Sequence, residues 1–218
     1  MKKMIALIFA SMVMFTTSAQ FQKGNTVFGF GLNTGQFSNN TISTNTSQER
    51  KEFGLNGFLS FAKAKSENRL NGFVLNAGYS KSISKNSNPF SSDQLTENYM
   101  AGVGYFIRKY KPLGKNFFVF GEAQADVNFD RHINRSGTFY TDANQYQAGI
   151  GLYPGLAYKW NNRFLFELRF ADFARVGYSY SERKQQTTSD YSRSFSLGTS
   201  LGLGYLNNIG IGARWIIK

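Results

Sequence analysis

From Phe195 to Ile217 the odd positions read Phe195, Leu197, Thr199, Leu201, Leu203, Tyr205, Asn207, Ile209, Ile211, Ala213, Trp215 and Ile217. The even positions between them are mostly Ser, Gly, Asn or Arg. An alternation of period two held in one phase predicts a β-strand with one apolar and one small or polar face. The expectation is a single long strand from Arg193 to Lys218, with Asn207-Asn208 inside it rather than at a turn.

The same alternation predicts seven earlier strands. Strand one covers about residues 25–37, with Thr26, Phe28, Phe30 and Leu32 on one face. Strand two covers 49–62, with Phe53, Leu55, Leu59 and Phe61 outward; strand three covers 70–84, with Phe73, Leu75, Ala77 and Tyr79 outward. Strand four covers 95–110, with Tyr99, Ala101, Val103, Tyr105 and Ile107 on one face. Strand five covers 116–131 and alternates most cleanly. Its apolar face runs from Phe117 to Phe129, and its other face becomes Glu122, Gln124, Asp126 and Asn128. Strand six covers 142–160, with Tyr146, Ile150, Leu156, Tyr158 and Trp160 outward. Strand seven covers 163–183, with Phe164, Phe166, Leu168, Tyr178 and Tyr180 outward and Glu167, Arg169 and Arg175 inward.

The connections alternate in length. Residues 63–69, 111–115 (KPLGK) and Asn161-Asn162 are short turns, the last because Asn tolerates positive φ. Residues 38–48, 85–94, 132–141 and 184–192 are rich in Ser, Thr, Asn and Gln and read as loops. Eight antiparallel strands in up-and-down order, with both termini on the short-turn side, make an all-β barrel. A run of inward polar side chains is costly in an oily core and suits a polar lumen. A soluble sandwich or lipocalin-like barrel would instead turn its greasy face inward. The expected class is therefore an eight-stranded antiparallel transmembrane β-barrel. Its aromatic girdles are expected at Tyr99, Tyr105, Tyr146, Tyr158, Trp160, Tyr178, Tyr180 and Trp215.

Composition refines this picture in three places. Lys2 and Lys3, the apolar run Met4 to Phe15 and the small residues Thr17, Ser18 and Ala19 form a secretory signal peptide over residues 1–19. The barrel domain is then 20–218. The absence of Cys excludes disulfides and thiolate metal sites. A net charge of +12 fits attraction to anionic lipid headgroups, and nucleic acid is not an expected partner of an exported chain with scattered basic residues.

The chain resembles the small eight-stranded outer-membrane barrels of the OmpA/OmpX type, in the form common in Bacteroidetes. The resemblance covers residues 20–218 and rests on pattern. The final residues Gly212, Trp215 and Ile217 resemble the assembly signal read by the barrel assembly machinery, although Gly210 stands where a polar residue is expected and Lys218 follows. It implies location in a bacterial outer membrane and contact with outer-membrane lipid, including lipopolysaccharide. It implies the assembly machinery as a partner during biogenesis, and a further outer-membrane protein as a partner afterwards. Relatives that carry a peptidoglycan-binding domain continue past the barrel; the expectation here is a barrel without it.

Candidate chemistry is sparse. Inward charges must pair, and Glu122 with Arg169, and Asp126 with Arg175, stand at similar heights. With Gln124, Asn128, Glu167 and Arg214 they form an expected lumenal polar network that plugs the barrel. His132 is the only histidine and is expected in a loop with Asp130 and Ser136 nearby. It makes neither a catalytic set nor a metal site, so no enzyme activity and no cofactor are expected. Two residues break the pattern. Asp172 sits on the outward parity, and either a bulge turns it inward, or it lies near the headgroups, or it meets a partner. Pro154 predicts a local bulge or kink in strand six. The expected role is structural or interactive: envelope support, or an accessory subunit of a larger complex. The rival is a narrow channel for ions or small solutes, and a lipid-modifying enzyme is remote.

Overall fold

The structure, a computed structural model, describes residues 21–43, 46–86, 92–170, 172–185, 188–199 and 209–217. The predicted signal peptide lies outside them. All regular structure is β. The strands are β1 (Thr26–Ser43), β2 (Thr46–Ser66), β3 (Arg69–Asn86), β4 (Gln94–Pro112), β5 (Phe117–Ser136), β6 (Phe139–Lys159), β7 (Phe164–Arg169), β8 (Ala174–Gln185), β9 (Thr188–Gly198) and β10 (Gly210–Ile217). Every pairing is antiparallel. β1 to β6 follow one another around the wall, β6 pairs with both β7 and β8, and β10 pairs with β7 and β1. The result is an up-and-down barrel of eight staves, in which β7 with β8 form the seventh and β9 with β10 the eighth.

The wall is inverted relative to a soluble protein. Phe61, Phe73, Leu75, Val127 and Ile150 point outward and are more than half exposed. Arg108, Arg214, Glu122 and Glu167 point inward and are buried. Aromatic side chains mark both ends of the apolar band. At the short-turn end Phe164 stacks on Trp215 at 5.9 Å, and Trp160 meets Phe166 edge-on at 6.0 Å. At the other end Phe129, Tyr146, Tyr180 and Tyr191 form a row across four strands. Tyr79 and Tyr99 continue it on β3 and β4. Tyr105 packs on Phe73 nearer the lower end, Tyr158 packs on Phe117, and Tyr178 lies outward opposite Ala148 and Phe195. Along β6, Tyr146 and Tyr158 are about 30 Å apart on the barrel axis, taking ~3.3 Å per residue and a tilt of ~40°. That height spans a hydrocarbon band with its girdles.

Four expectations are corrected. First, three of the four Ser/Thr/Asn-rich segments are not long loops; the fourth, 85–94, does contain the connection from Asn86 to Gln94. β1, β5 and β8 run on to Ser43, Ser136 and Gln185, and their return strands start at Thr46, Phe139 and Thr188. His132 therefore lies within β5. These hairpin ends need no apolar face because both of their sides stand clear of the band; the backbone ladder keeps them extended, joined on β5 and β6 by polar pairs such as Arg131–Asp142. Second, the turn at Asn161-Asn162 works by a different device. Asn161 Oδ1 accepts the Arg163 and Phe164 amides at 2.7 and 2.9 Å. Positive φ outside glycine is confined, among the described residues, to Asn68 (55°).

Third, the seventh stave is broken. Gly155 pairs with Arg169 and Leu152 with Ala174. Two residues of β6 thus face four of its neighbour. Phe170 N bonds to Pro154 O at 3.0 Å, so the proline nitrogen points at the same neighbour and has no hydrogen to give it. The break supplies the bulge that Pro154 foretold, and of the three settings open for Asp172 it selects the inward one.

Fourth, the last strand is not continuous. Arg169 pairs with Gly210, and Arg175 pairs with Gly198. Eleven residues on the eighth stave therefore face five on the seventh, which no straight ladder allows. Asn207-Asn208 lie outside the described residues. Among those described, β10 closes the barrel on β1 only over Thr26–Leu32, and β9 pairs only with β8.

Candidate functional site in the barrel lumen

Side chains on the inner face stack in three layers from the short-turn end upward. The lowest is an apolar stopper of Val27, Leu70, Phe118, Leu165 and Ile216. Phe21 closes it from below. It is fully buried, packs on Tyr110 at 4.9 Å, and its carbonyl accepts the Asn68 amide at 3.3 Å. The expected polar lumen does not extend down to this layer. An eight-stranded barrel is only wide enough for side chains to fill, and large apolar ones fill it here.

Above the stopper sits a buried ionic quartet. Arg108 grips Glu122 through Nε at 2.8 Å and Nη2 at 2.5 Å, and reaches Glu167 through Nη1 at 2.5 Å. Arg214 Nε donates to both oxygens of Glu167 at 2.9 Å, and its Nη1 reaches Ser60 Oγ at 3.2 Å. The Tyr110 hydroxyl donates to Glu167 at 2.5 Å. Phe120 lies under the Arg108 guanidinium at 4.1 Å and Phe106 under Arg214 at 5.3 Å. Two arginines balance two glutamates, and planar guanidinium forks hold both oxygens of Glu167 and one of Glu122, whose Oε1 has no hydrogen bond. Such a group costs desolvation, but removing one member strands another. Arg108, the hub, was missed from the sequence. Its signal was there: it falls on the inward parity of β4, next to Ile107 on the outer face.

The third layer is a polar cup. Arg169 bridges the layers. Its Nη2 donates to Gln124 Oε1 at 2.9 Å and stands 3.1 Å from Glu122, an ion pair off the hydrogen-bond direction. Its guanidinium lies on the Tyr153 ring at 3.8 Å. Arg175 holds Asp126 through two nitrogens at 2.5 and 3.1 Å and donates to the Tyr153 hydroxyl at 2.7 Å. Asn128 and Gln124 donate to the same Asp126 at 2.8 and 3.2 Å. All eight expected network residues are thus inward, and the two pairs placed at similar heights are in contact.

Glycines make room for these side chains. A Cβ on Gly31 would overlap the Phe58 ring and stand 2.6 Å from the Ile211 carbonyl. One on Gly212 would stand 3.0 Å from the same ring, so Gly212 is needed for lumen packing whatever its part in assembly. Trp215 and Ile217, which share that suggested signal, point outward beside Phe28 and Phe164. Asn56 lies across Gly78, and Asn128 lies across Gly102.

His132 sits higher, with its Nδ1 against Asn98 Oδ1, and Asn98 Nδ2 donates to Ser80 at 2.9 Å. On the outer face above the tyrosine row, Arg131 clasps Asp142 through Nε and Nη2 at 3.1 and 2.6 Å. Those bonds hold the Asp142 carboxyl below the usual carboxylate range and raise Arg131. No group of three or more His, Asp or Glu among the described residues is placed to hold a metal.

No family model matches this chain, and no curated protein matches it. Among solved structures it is similar to a major outer membrane protein from Thermus thermophilus. The TM-score is 0.46 and the identity 12%, over 88% of this chain and 99% of that one.

Proposed function

We propose that this chain is a non-enzymatic barrel of a bacterial outer membrane, with both termini periplasmic and its lumen closed. Its role is to support the envelope or to serve as an accessory subunit of an outer-membrane complex. The observation that carries this reading is the inverted wall. Phe61, Phe73 and Ile150 face outward while Arg108, Arg214, Glu122 and Glu167 are buried within. A contiguous apolar belt with aromatic edges belongs in lipid, not in water. Closure is supported by Phe21 and the stopper below the quartet, which oppose a conducting path. The absence of enzymatic activity is supported by the setting of His132, whose ring nitrogen is engaged by Asn98 within the β4–β5 ladder.

Envelope fractionation tests the location. The chain should sediment with the outer membrane, begin at Gln20 by N-terminal sequencing, and migrate faster unheated than boiled, as folded barrels do. Recovery in a soluble fraction would overturn the reading. Purification in mild detergent tests the subunit role: a stoichiometric companion supports it, and a lone monomer counts against it.

A further inference from the structure

The cup above the ionic quartet is a cavity of about 330 Å³, to which all eight staves contribute. That is room for about eleven waters at ~30 Å³ each, and within the range of small-molecule sites. Its ionic groups are two of each sign, Arg169 and Arg175 against Asp126 and Asp172; Arg175 holds Asp126, and Arg169 reaches Gln124 and Glu122. They leave little net charge to attract an ion. Arg169 Nε and Glu122 Oε1 lack hydrogen-bond partners but are shut off from the cup's space, so the capacity that faces it freely lies on neutral amides. Asn56 and Asn76 line the cup from β2 and β3, and neither side-chain amide bonds to a described residue. Each offers two donors and an acceptor. Phe58, Phe170 and Met100 give the same cup an apolar patch. A second hollow of about 180 Å³ adjoins it at Arg175 and is lined by Gln145, Gln147, Ser179 and Ser196, again uncharged donors and acceptors.

Planar amides that bond to neighbouring hydroxyls, with aromatic rings against C–H faces, are the chemistry that recognises sugars. We propose that the cup binds a neutral polyhydroxylated small molecule, the size of one sugar ring, with Asn56 and Asn76 as its principal hydrogen-bonding residues. The stopper below makes this a binding site and not a passage. The inference rests on the lumen geometry and does not depend on where the barrel resides.

Met100 provides the reporter, since the other four methionines, Met1, Met4, Met12 and Met14, fall within residues 1–19. The chain from Gln20 onward is folded in detergent micelles with a ¹³C-labelled methionine methyl and titrated with D-glucose. Sodium glutamate and sodium chloride are titrated separately. A saturable Met100 shift with glucose is expected, weakened at least tenfold by Asn56→Ala with Asn76→Ala, since two hydrogen bonds at about 1 kcal/mol each are lost. Those side chains bond to no described residue, so the variant should fold; unheated gel mobility checks this. No saturable shift with glucose, an equal response in the folded double variant, or a stronger response to glutamate or chloride would each overturn the proposal.

Discussion

The two ends of the lumen are built from the same strands and treat their interiors in opposite ways. On β5 the inward side chains run Phe118, Phe120, Glu122, Gln124, Asp126 and Asn128 from bottom to top. The lower part is filled by rings and by charges that satisfy one another. The upper part is held open by glycines and lined by amides, two of them unengaged. The wall follows the same division. Below, β10 joins β7 to β1 without a gap. Above, the seventh stave is broken between Arg169 and Ala174, and among the described residues β9 pairs on one side only. The lower end is expected to carry the stability, and the upper end is where the proposed ligand would bind.

The sharpest way to break this comparison is to remove one arginine from each end. Arg108→Met strips Glu122 of its hydrogen bonds in a buried site, while Glu167 keeps Arg214 and Tyr110, and should cost about 3–5 kcal/mol in urea unfolding from micelles. Adding Glu122→Gln should recover part of that. Arg175→Met leaves the buried Asp126 with its two amide partners at the wall of the cup, and should cost less, about 1–2 kcal/mol. Equal losses would erase the distinction between the ends.

Phe21→Ala removes the ring that closes the stopper and should cost about 3 kcal/mol, read as a lower urea midpoint. A negligible change would mean that the lower end is sealed without it. Gly31→Ala drives a methyl into Phe58 and should cost about 1–3 kcal/mol. Gly121→Ala meets nothing within 4 Å and should be neutral by the same measurement. The smallest effect belongs to the exposed Arg131–Asp142 pair. Its folded carboxyl titrates below the unfolded one, so its contribution is present above the unfolded pKa and fades as pH falls through the folded value. Asp142→Asn should remove a small acid-side slope from the urea midpoint and leave the neutral-pH midpoint nearly unchanged.

Much of the wall could be read from parity alone. Period two separates Leu59 and Phe61 from Ser60, and Val127 from Asp126, because successive side chains point to opposite faces. The ionic pairs followed from comparing heights on β5 and the seventh stave. The breaks did not show, for a definite reason. The seventh stave carries two residues more than β6 across its break, and the eighth carries six more than the seventh. An even excess restores the phase on the far side, so Tyr178 and Phe195 stay outward as if nothing intervened. Asp172, inside the break, and Pro154, facing it, were the visible symptoms. The hairpin ends were misjudged because polarity on both faces was equated with loss of strand. Arg108 is the one charged residue on the inward parity of β4, whereas the inward charges of strands five and seven cluster and mark themselves.

The most direct test of the central claim is electrical. The folded chain is reconstituted into planar lipid bilayers, and current is recorded under an applied potential. A lumen stopped by Phe21, the apolar layer and the quartet predicts insertion without steady conductance. A large, steady, reproducible open level from the folded protein would contradict it.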